Sequence, residues 1–359
     1  MKAAICYEFG QPLVIEEVDL EAPQRGEVEV QIAACAICHS DVHWLRGDWG
    51  GETPLVAGHE AAGVVSAVGP GVASLQPGDP VVVYLRRACG QCYYCTRQQP
   101  FLCEGQFRLD RESPLRNQKG QRLIQGLRTA AFAERVLIEQ SQAIKIPKDL
   151  PLDRACLLAC GVVTGLGAVI NTAKVEPGSS IAVLGVGGVG LNSLQGGRMA
   201  EANPIIAIDM LDHKLEAARL FGATHVINSA REDAVAAVLA LTKGRGVDYA
   251  FATVGSSRAI AQASQMTRRG GATVIVGMPA NQDAEVSINT HHLTESRRLL
   301  GSLMGSTQPA IDIPRLAADY QHGHLKLDEL ITWRYPFEQI NEALRTFERG
   351  DALRNVIVF

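Results

Sequence analysis

Four closely spaced cysteines form the most specific chemical pattern in the chain. Cys89, Cys92, Cys95 and Cys103 follow a C-x2-C-x2-C-x7-C spacing on a segment rich in glycine, glutamine and tyrosine. Thiolates suit zinc, and four of them close a tetrahedral site with no position left for a substrate. Free surface thiols and an iron–sulfur cluster are the alternatives. The spacing therefore predicts a structural zinc site.

A glycine-rich hexapeptide lies between a predicted strand and a predicted helix, and an acidic residue, Asp209, ends the next predicted strand. The hexapeptide consists of Gly185, Val186, Gly187, Gly188, Val189 and Gly190. Such glycines bring backbone N–H groups against a pyrophosphate, which the helix N-terminus also favours. The acid accepts hydrogen bonds from ribose hydroxyls and repels a 2′-phosphate. The pattern predicts a dinucleotide site that prefers NAD to NADP, and a tight turn without a ligand is the alternative.

Three further candidate metal ligands are dispersed along the chain. Cys38 lies in AICHSDVH, His59 in AGHEAAG and Cys160 in ACGVVTG. Two thiolates and one imidazole leave the fourth position of a zinc ion open for water or substrate, which is typical of a catalytic site. Each residue alone is better interpreted as a buried cysteine or a hydrogen-bonded histidine. Spacing does not connect the three, so the residue types alone leave both interpretations open.

Short β-branched runs separated by glycine and proline dominate the first part of the chain, up to about residue 150. Residues 26–32, 63–68 and 81–84 are predicted strands, which indicates a β-rich, barrel-like domain. The charged segment 108–128 is predicted to be a long loop. The uncharged segment 155–173 contains glycines and polar residues, so we expect a buried helix and loop there.

Apolar strands alternate with helix-length segments from about residue 179 onward, which indicates βαβ units on a parallel sheet. Asp212 is predicted to cap the helix 212–221, and Gly222 to end it. We expect the tail beyond residue 304, with two helices and a final strand, to return to the first domain. Six parallel strands fit a doubly wound α/β fold. They are predicted at residues 180–185, 204–210, 225–228, 247–254, 273–276 and 299–303.

Length and composition set further limits. A chain of 359 residues is longer than a domain with a single hydrophobic core usually is, which suggests two domains. Apolar residues make up 47% of the chain and charged residues 20%, which is typical of a globular protein. The net charge of −4 does not provide the positive potential that attracts the phosphates of a nucleic acid, so we expect no nucleic-acid partner. The first residues lack the apolar region of a secretory signal, and no segment has the flanking charges of a membrane span. We expect a cytoplasmic protein without membrane contact.

Several motifs occur together in one order along the chain: AICHSDVH, GHEAAG, the four-cysteine segment, CGVVTG, GVGGVG and LRNVIVF. In this order they resemble the zinc-dependent medium-chain alcohol dehydrogenases over essentially the whole length. The chain looks nearest to the branch with glutathione- and mycothiol-linked formaldehyde dehydrogenases and aryl or alkyl alcohol dehydrogenases. It keeps the four-cysteine segment and Cys160, where polyol dehydrogenases usually have glutamate.

The resemblance implies a fold with two domains. A six-stranded parallel Rossmann sheet would form the NAD-binding domain at residues 162–303. A β-rich, barrel-like (GroES-like) catalytic zinc domain would comprise residues 1–161 and 304–359. Its structural-zinc lobe would lie at residues 89–103.

The resemblance also implies two zinc ions per chain, one catalytic and one structural. Cys38, His59 and Cys160 match the ligands of the catalytic ion, and the four-cysteine segment matches those of the structural ion. Asp41 matches a partner of the His59 imidazole, and Glu60 matches an acid behind the metal that assists ligand exchange.

Ser40 and His43 match a proton relay for the alcohol. The other three cysteines, Cys6, Cys35 and Cys156, match no functional position, and we interpret them as core residues.

Further positions match contacts to NAD and to the substrate. His39 and Arg354 match contacts to the pyrophosphate, and Lys214 matches a contact to the adenosine ribose. The nicotinamide pocket is matched by Thr164 and by the backbone of Val276 and Leu303. The positions that match the substrate wall are all apolar: Trp49, Leu85, Leu127, Met278 and Leu303.

The implied activity is the reversible oxidation of an apolar aliphatic or aromatic primary alcohol to the aldehyde, with hydride transfer to NAD, in a dimeric or tetrameric homo-oligomer. One alternative is a thiol-adduct (S-hydroxymethyl) formaldehyde dehydrogenase, whose carboxylate-binding groups could be Arg108, Arg111, Arg116 and Arg122. A solvated charged loop is the favoured interpretation of those arginines. Another alternative is an oxidoreductase that tightly holds and recycles NAD. A zinc-ribbon binding module is the alternative from another class, and the acidic charge together with the dinucleotide pattern argues against it.

Overall fold

Turns rich in glycine and proline separate the short strands of a first unit, which comprises Met1–Cys160 and Gln308–Phe359. A second unit comprises Gly161–Thr307. The structure is a computed structural model and describes residues 1–359.

The first segment of the first unit is mostly β-structure. Its strands are β1 Lys2–Cys6, β2 Val14–Leu20, β3 Glu27–Ala36, β4 Leu55–Val56, β5 Glu60–Val68, β6 Pro80–Val83, β7 Leu115–Asn117, β8 Arg122–Gln125, β9 Arg135–Glu139 and β10 Ala143–Lys145. Its helices are short: α1 His39–Arg46, α2 Arg108–Arg111 and α3 Leu152–Ala155.

The second unit alternates helices and strands, as the sequence predicted. Its helices are α4 Gly161–Gly167, α5 Gly188–Met199, α6 Asp212–Leu220, α7 Ala234–Leu241, α8 Ser257–Met266 and α9 Thr290–Thr294. Its strands are β11 Ile181–Leu184, β12 Ile205–Asp209, β13 His225–Asn228, β14 Val247–Ala252, β15 Thr267–Ile275 and β16 Arg298–Gly301. The chain then returns to the first unit through α10 Pro309–Gln321, β17 Ile331–Pro336, α11 Ile340–Glu348 and β18 Arg354–Val358.

Two sheets build the first unit. Strands β1, β2, β7, β8 and β4 close a barrel, and a seven-stranded sheet runs β10-β6-β5-β3-β18-β17 with β9 also paired to β3. The longest ladder joins β3 and β5 antiparallel, from Val28 opposite Val68 to Ala36 opposite Glu60. The C-terminal strand β18 pairs with β3, which confirms the predicted return of the tail. This pairing places the ends of β3, β5 and β18 beside one another.

The six strands of the second unit form one parallel sheet in the order β13-β12-β11-β14-β15-β16. The central strand β11 is apolar throughout and β12 is apolar up to its last residue, Asp209, because helices cover both faces of such a sheet. The predicted doubly wound fold is therefore confirmed. Gly222 follows α6 with φ +111°, as expected for a residue that ends a helix.

Two local predictions were wrong. The segment 108–128 is not a loop, since it contains α2 and the barrel strands β7 and β8. Asp212 is not the cap of α6, since the helix begins at Asp212 and Leu211 is the capping residue. The Asp212 carboxylate instead accepts hydrogen bonds from Asn228 and Arg231.

No single helix is long and apolar enough to cross a bilayer. Only two consecutive segments taken together, Leu152–Ala159 and Gly161–Ala173, would pass by length and composition. Cys6, Cys35 and Cys156 are buried, as predicted for core residues.

Candidate functional site

The pairing of β3 with β5 brings together residues that are distant in sequence. Ala36 lies opposite Glu60 in this ladder, so Cys38, just beyond β3, and His59, just before β5, lie at the same edge. Cys160 follows a 3-10 turn at Cys156–Ala159. The possible ligand atoms of Cys38, His59, Glu60 and Cys160 all lie within 4.8 Å of one another.

The chemistry of this group fits a zinc ion. All four side chains are buried, and Nε2 of His59 is buried without any hydrogen-bond partner. An unpaired buried nitrogen costs free energy unless something binds it. A hydrogen bond with Cys160 holds the pKa of Cys38 well below its usual range, which favours the thiolate that a metal requires. Cys38, His59 and Cys160 are the residues that the family resemblance implied as ligands of the catalytic ion.

Asp41 fixes this arrangement from behind. Its Oδ1 accepts hydrogen bonds from Nδ1 of His59 and the Gly58 N–H, both at 2.9 Å. Its Oδ2 accepts the Cys38 N–H at 3.0 Å. A carboxylate only accepts hydrogen bonds, so Nδ1 of His59 carries the proton and Nε2 presents its lone pair. Asp41 thus occupies the position predicted for the partner of His59.

Glu60 is held by a buried arginine. Nη2 of Arg354 donates to both Glu60 oxygens, at 2.6 and 2.8 Å, and Nη1 donates to the Ile37 carbonyl at 3.0 Å. Burial raises the pKa of Glu60 to about 8, and the Arg354 guanidinium opposes that rise. The pyrophosphate contact of Arg354 stays a prediction. Its guanidinium is buried on Glu60, because an isolated buried carboxylate would be costly.

The two predicted relay residues lie on α1. Ser40 is partly buried, and Nδ1 of His43 lies 2.7 Å from Oδ2 of Asp48. The His43 ring also stacks on Trp49, with ring centroids 5.0 Å apart. Asp48 was missed by the sequence analysis, although its place five residues after His43 was a signal for it. The Asp48 contact fixes the orientation of the His43 ring.

The four-cysteine group forms a second compact cluster. The sulfur atoms of Cys89, Cys92, Cys95 and Cys103 lie within 4.8 Å of one another, and those of Cys92 and Cys103 are 3.9 Å apart. Four zinc–sulfur bonds of about 2.3 Å in a tetrahedron give sulfur separations of about 3.8 Å. The geometry therefore fits zinc.

Backbone groups surround these sulfurs. The Cys95 N–H lowers the pKa of Cys92 to about 6, which favours its thiolate. Gly105, which the sequence analysis missed, donates its N–H to the Cys103 sulfur at 3.3 Å. A Cβ at Gly105 would lie 2.7 Å from Cβ of Cys89, so only glycine fits over the cluster.

Three glycines of the second unit shape the turn between β11 and α5. Gly185 has φ +87°, and a Cβ there would lie 2.2 Å from Cγ1 of Val254. A Cβ at Gly190 would lie 1.9 Å from the Gly185 carbonyl, so the helix packs closely on the turn. Gly187 faces open space and caps α5 without a side-chain hydrogen bond. The first N–H groups of α5, including those of Gly188 and Val189, are therefore open to a phosphate.

Asp209 ends β12 beside this turn. Its Oδ2 accepts the Val186 N–H at 2.8 Å, and its Oδ1 accepts those of Met210 and Leu211 at 2.8 and 3.1 Å. Lys214 lies in the first turn of the next helix, α6. In the first unit, the exposed His39 ring contacts Phe347 at a centroid distance of 4.7 Å.

The remaining predicted pocket residues divide between the two units. In the first unit, Trp49, Leu85 and Leu127 are partly buried. In the second, Thr164 and Val276 are buried, whereas Met278 and Leu303 are exposed. The Thr164 hydroxyl lies 3.9 Å from the sulfur of Met304.

Both units match known families. Residues 24–148 match the alcohol dehydrogenase GroES-like domain, and residues 188–318 match the zinc-binding dehydrogenase family. Alcohol dehydrogenase 1 of Pisum sativum is 37% identical over 368 residues, which covers 99% of this chain and 96% of the relative.

Solved structures agree with these matches. An alcohol dehydrogenase zinc-binding domain protein from Burkholderia ambifaria is 34% identical with a TM-score of 0.94, covering 100% of this chain and 98% of that one. Benzyl alcohol dehydrogenase from Acinetobacter calcoaceticus is 32% identical with a TM-score of 0.92, covering 100% and 99%. The chain is therefore an oxidoreductase that belongs to the family of zinc-dependent medium-chain alcohol dehydrogenases.

Proposed function

We propose that this enzyme oxidises apolar primary alcohols, aliphatic or aromatic, to aldehydes with NAD as the hydride acceptor. The observation that carries the proposal is the convergence of Cys38, His59 and Cys160 around the unpartnered Nε2 of His59. We assign zinc binding to the first unit and nucleotide binding to the second.

In this proposal, Cys38, His59 and Cys160 hold the catalytic zinc. When bound, the ion lowers the pKa of an alcohol hydroxyl and polarises an aldehyde carbonyl. Glu60 is the fourth possible ligand in this group, but both its oxygens accept hydrogen bonds from Arg354. That pairing supports three protein ligands and one position for the substrate.

The chain's own contribution to proton transfer comes from Ser40 and His43. Because Nδ1 of His43 donates to Asp48, its Nε2 is the nitrogen that can accept a proton. We assign to the Ser40 hydroxyl the transfer of the substrate proton toward this nitrogen. Asp48 keeps the ring in one orientation, as an acid paired with a histidine base commonly does.

The preference for NAD over NADP rests on the turn at Gly185, Gly187 and Gly190 with Asp209 beside it. The Asp209 carboxylate lies at the end of β12 and accepts hydrogen bonds from three backbone N–H groups. A 2′-phosphate would be repelled there. NAD, when bound, supplies the hydride acceptor, and the protein supplies its orientation.

Apolar side chains support an apolar alcohol as the substrate. Trp49, Leu85 and Leu127 offer only apolar surface and an indole N–H. Of the arginines that a thiol adduct would need, Arg108 is bound by Glu27 at 2.8 and 2.9 Å and by Glu21 at 2.9 Å. Arg111 contacts Gln106. These contacts favour a simple alcohol over the thiol-adduct alternative.

We further propose a homo-oligomer. Strand β16 is an edge of the six-stranded sheet, and Leu299 on it is 41% exposed. Unpaired backbone groups beside apolar side chains at a sheet edge are a template for pairing with a second copy. Light scattering at several concentrations tests this, and a strictly monomeric protein contradicts it.

The test of the proposed function is a substrate and cofactor panel. Initial rates are measured on benzyl alcohol, 1-hexanol, sorbitol and S-hydroxymethylglutathione, each with NAD and with NADP. We expect the two apolar alcohols with NAD to give the highest kcat/KM. A clear preference for S-hydroxymethylglutathione would replace the substrate assignment, and equal rates with both cofactors would contradict the role of Asp209.

A further inference from the structure

Arg87 is a fully buried cation, two residues before the first cysteine of the four-cysteine segment. Its side chain is 1% exposed, and its Nη1 donates to Oδ1 of Asp110 at 2.6 Å. Its Nε donates to Oε1 of Gln142 at 2.9 Å, and its Nη2 to Oε1 of Gln125 at 2.9 Å and to the Arg128 carbonyl at 3.2 Å. A buried guanidinium with this many acceptors is rigid, because each lost partner would leave a charge unsatisfied.

The segment that Arg87 contacts, residues 126–130, has an unfavourable backbone. Leu127, Arg128 and Ala130 have φ angles of 49°, 63° and 58°. Residues other than glycine rarely adopt this left-handed backbone conformation. Where they do, contacts with the surrounding structure hold the backbone in it. The surroundings here are the hydrogen bonds that end on this segment.

Gln142 connects Arg87 with the two segments that carry Leu85 and Leu127 of the predicted substrate wall. With its oxygen bound by Arg87, its amide nitrogen donates to the carbonyls of Leu85 and Arg128, at 3.3 and 3.2 Å. The Glu139 N–H also donates to this oxygen, at 3.2 Å, so Arg87 and Glu139 together favour the orientation in which the amide presents its NH2 group to these carbonyls. Leu85 and Leu127 therefore share one support.

The same segment is attached to the residue before the metal ligand His59. The Thr129 hydroxyl donates to the Gly58 carbonyl at 2.7 Å, and the Ala131 N–H donates to it at 2.9 Å. A shift of residues 126–130 would thus change the distance between the wall and His59.

We propose that Arg87 is a positioning residue that sets the location of Leu85 and Leu127 relative to His59 and so determines which primary alcohols the enzyme prefers. This inference rests on the proposed alcohol dehydrogenase activity and on the substrate wall assigned to these leucines. Arg87 itself touches neither substrate nor metal.

The test compares Arg87→Met with Leu127→Ala, with the double variant and with Arg154→Met. Arg154 is a matched control, since Asp153 and Asp328 bind it and it has no bond to residues 126–130. The readouts are kcat and KM for ethanol, 1-hexanol and benzyl alcohol, the zinc content and the melting temperature. Thr129→Val, which removes the bond to Gly58 at nearly constant volume, is measured in the same way and decides the question if Arg87→Met does not fold.

We expect Arg87→Met to change the hexanol-to-ethanol ratio of kcat/KM about tenfold, mainly through KM, with zinc content retained. The double variant should change it no further than the larger single effect, and Arg154→Met should keep it within about twofold. If Leu127→Ala shifts the ratio and Arg87→Met does not, the inference is wrong and the proposed function stands. If Leu127→Ala leaves the ratio unchanged, the substrate wall is wrong and the inference fails with it.

Discussion

Oδ1 of Asp41 lies 2.9 Å from Nδ1 of His59, and its second oxygen accepts the Cys38 N–H at 3.0 Å. One buried carboxylate therefore orients two of the three proposed zinc ligands. It also selects the tautomer of His59 that leaves Nε2 free. Zinc affinity and ligand geometry should both depend on this contact.

Asp41→Asn tests that dependence. An amide can offer only one carbonyl oxygen to the N–H groups that two carboxylate oxygens now accept, so zinc affinity or kcat/KM should fall about 10- to 100-fold. Zinc is measured by elemental analysis after dialysis against a weak chelator. The four-cysteine site serves as the internal control and should stay filled. Unchanged affinity and turnover would show that Asp41 has no such role.

Asp209→Ser should weaken the discrimination against NADP. Loss of the negative charge removes the repulsion of a 2′-phosphate, and we expect the NAD-to-NADP ratio of kcat/KM to fall at least about tenfold, or about 1.4 kcal/mol. Asp209→Glu is the control that keeps the charge. A ratio in the serine variant equal to that of the original chain would contradict the assignment.

Cys103→Ser should remove one of the two zinc sites. Serine is a poor zinc ligand, so the metal content should fall by about half while Cys38, His59 and Cys160 keep their ion. The variant should also unfold at a lower temperature, because metal binding contributes to folding free energy. A full zinc content would argue against a metal in the lobe.

The stability of the second unit should depend on Asp248 at acidic pH. Hydrogen bonds from the Ser180 N–H and hydroxyl, at 2.7 and 2.6 Å, and the contact with Arg268 lower the pKa of Asp248 although burial works against them. Because the folded-state pKa is the lower one, the stabilisation is present above the unfolded value of about 3.9 and disappears as the pH falls through the folded value.

Thermal unfolding of the original chain and of Asp248→Asn between pH 3 and pH 7 measures this effect. We expect the variant to be less stable by about 1–2 kcal/mol near neutral pH, with the difference shrinking as the pH falls below 4. Asp19→Asn, at an exposed position, is the control and should show neither effect. A difference that is constant over the whole range would exclude the role of the carboxylate charge.

Local patterns predicted much of the fold because the interactions that decide them are local. The strand at residues 225–228 was predicted with both of its bounds, and the glycine turn was identified from its position between strand and helix. The strand predicted to reach residue 254 ends at Ala252, and the hydroxyl of the next residue, Thr253, donates to the Leu184 and Gly185 carbonyls. Such a contact with a distant strand leaves no periodic signal.

Long-range contacts account for the other differences. The segment 108–128 was expected to be a solvated loop because of its charges, yet Arg108 is bound by Glu27 and Glu21 from the start of the chain. The contact of Arg354 with Glu60 likewise joins the last strand to β5. The four cysteines lie close together in sequence, so spacing alone identified them. Cys38, His59 and Cys160 are brought together only by long-range contacts, so they were joined only by resemblance to a family.

The most direct test of the central claim is the NAD-linked oxidation of 1-hexanol by the His59→Ala and Cys38→Ser variants, followed by NADH absorbance. Both variants should lose turnover, because each removes one of the three proposed zinc ligands, while NAD binding stays within about tenfold, or 1.4 kcal/mol. Titration of intrinsic fluorescence with NADH verifies the retained binding. Full activity in either variant would contradict the account.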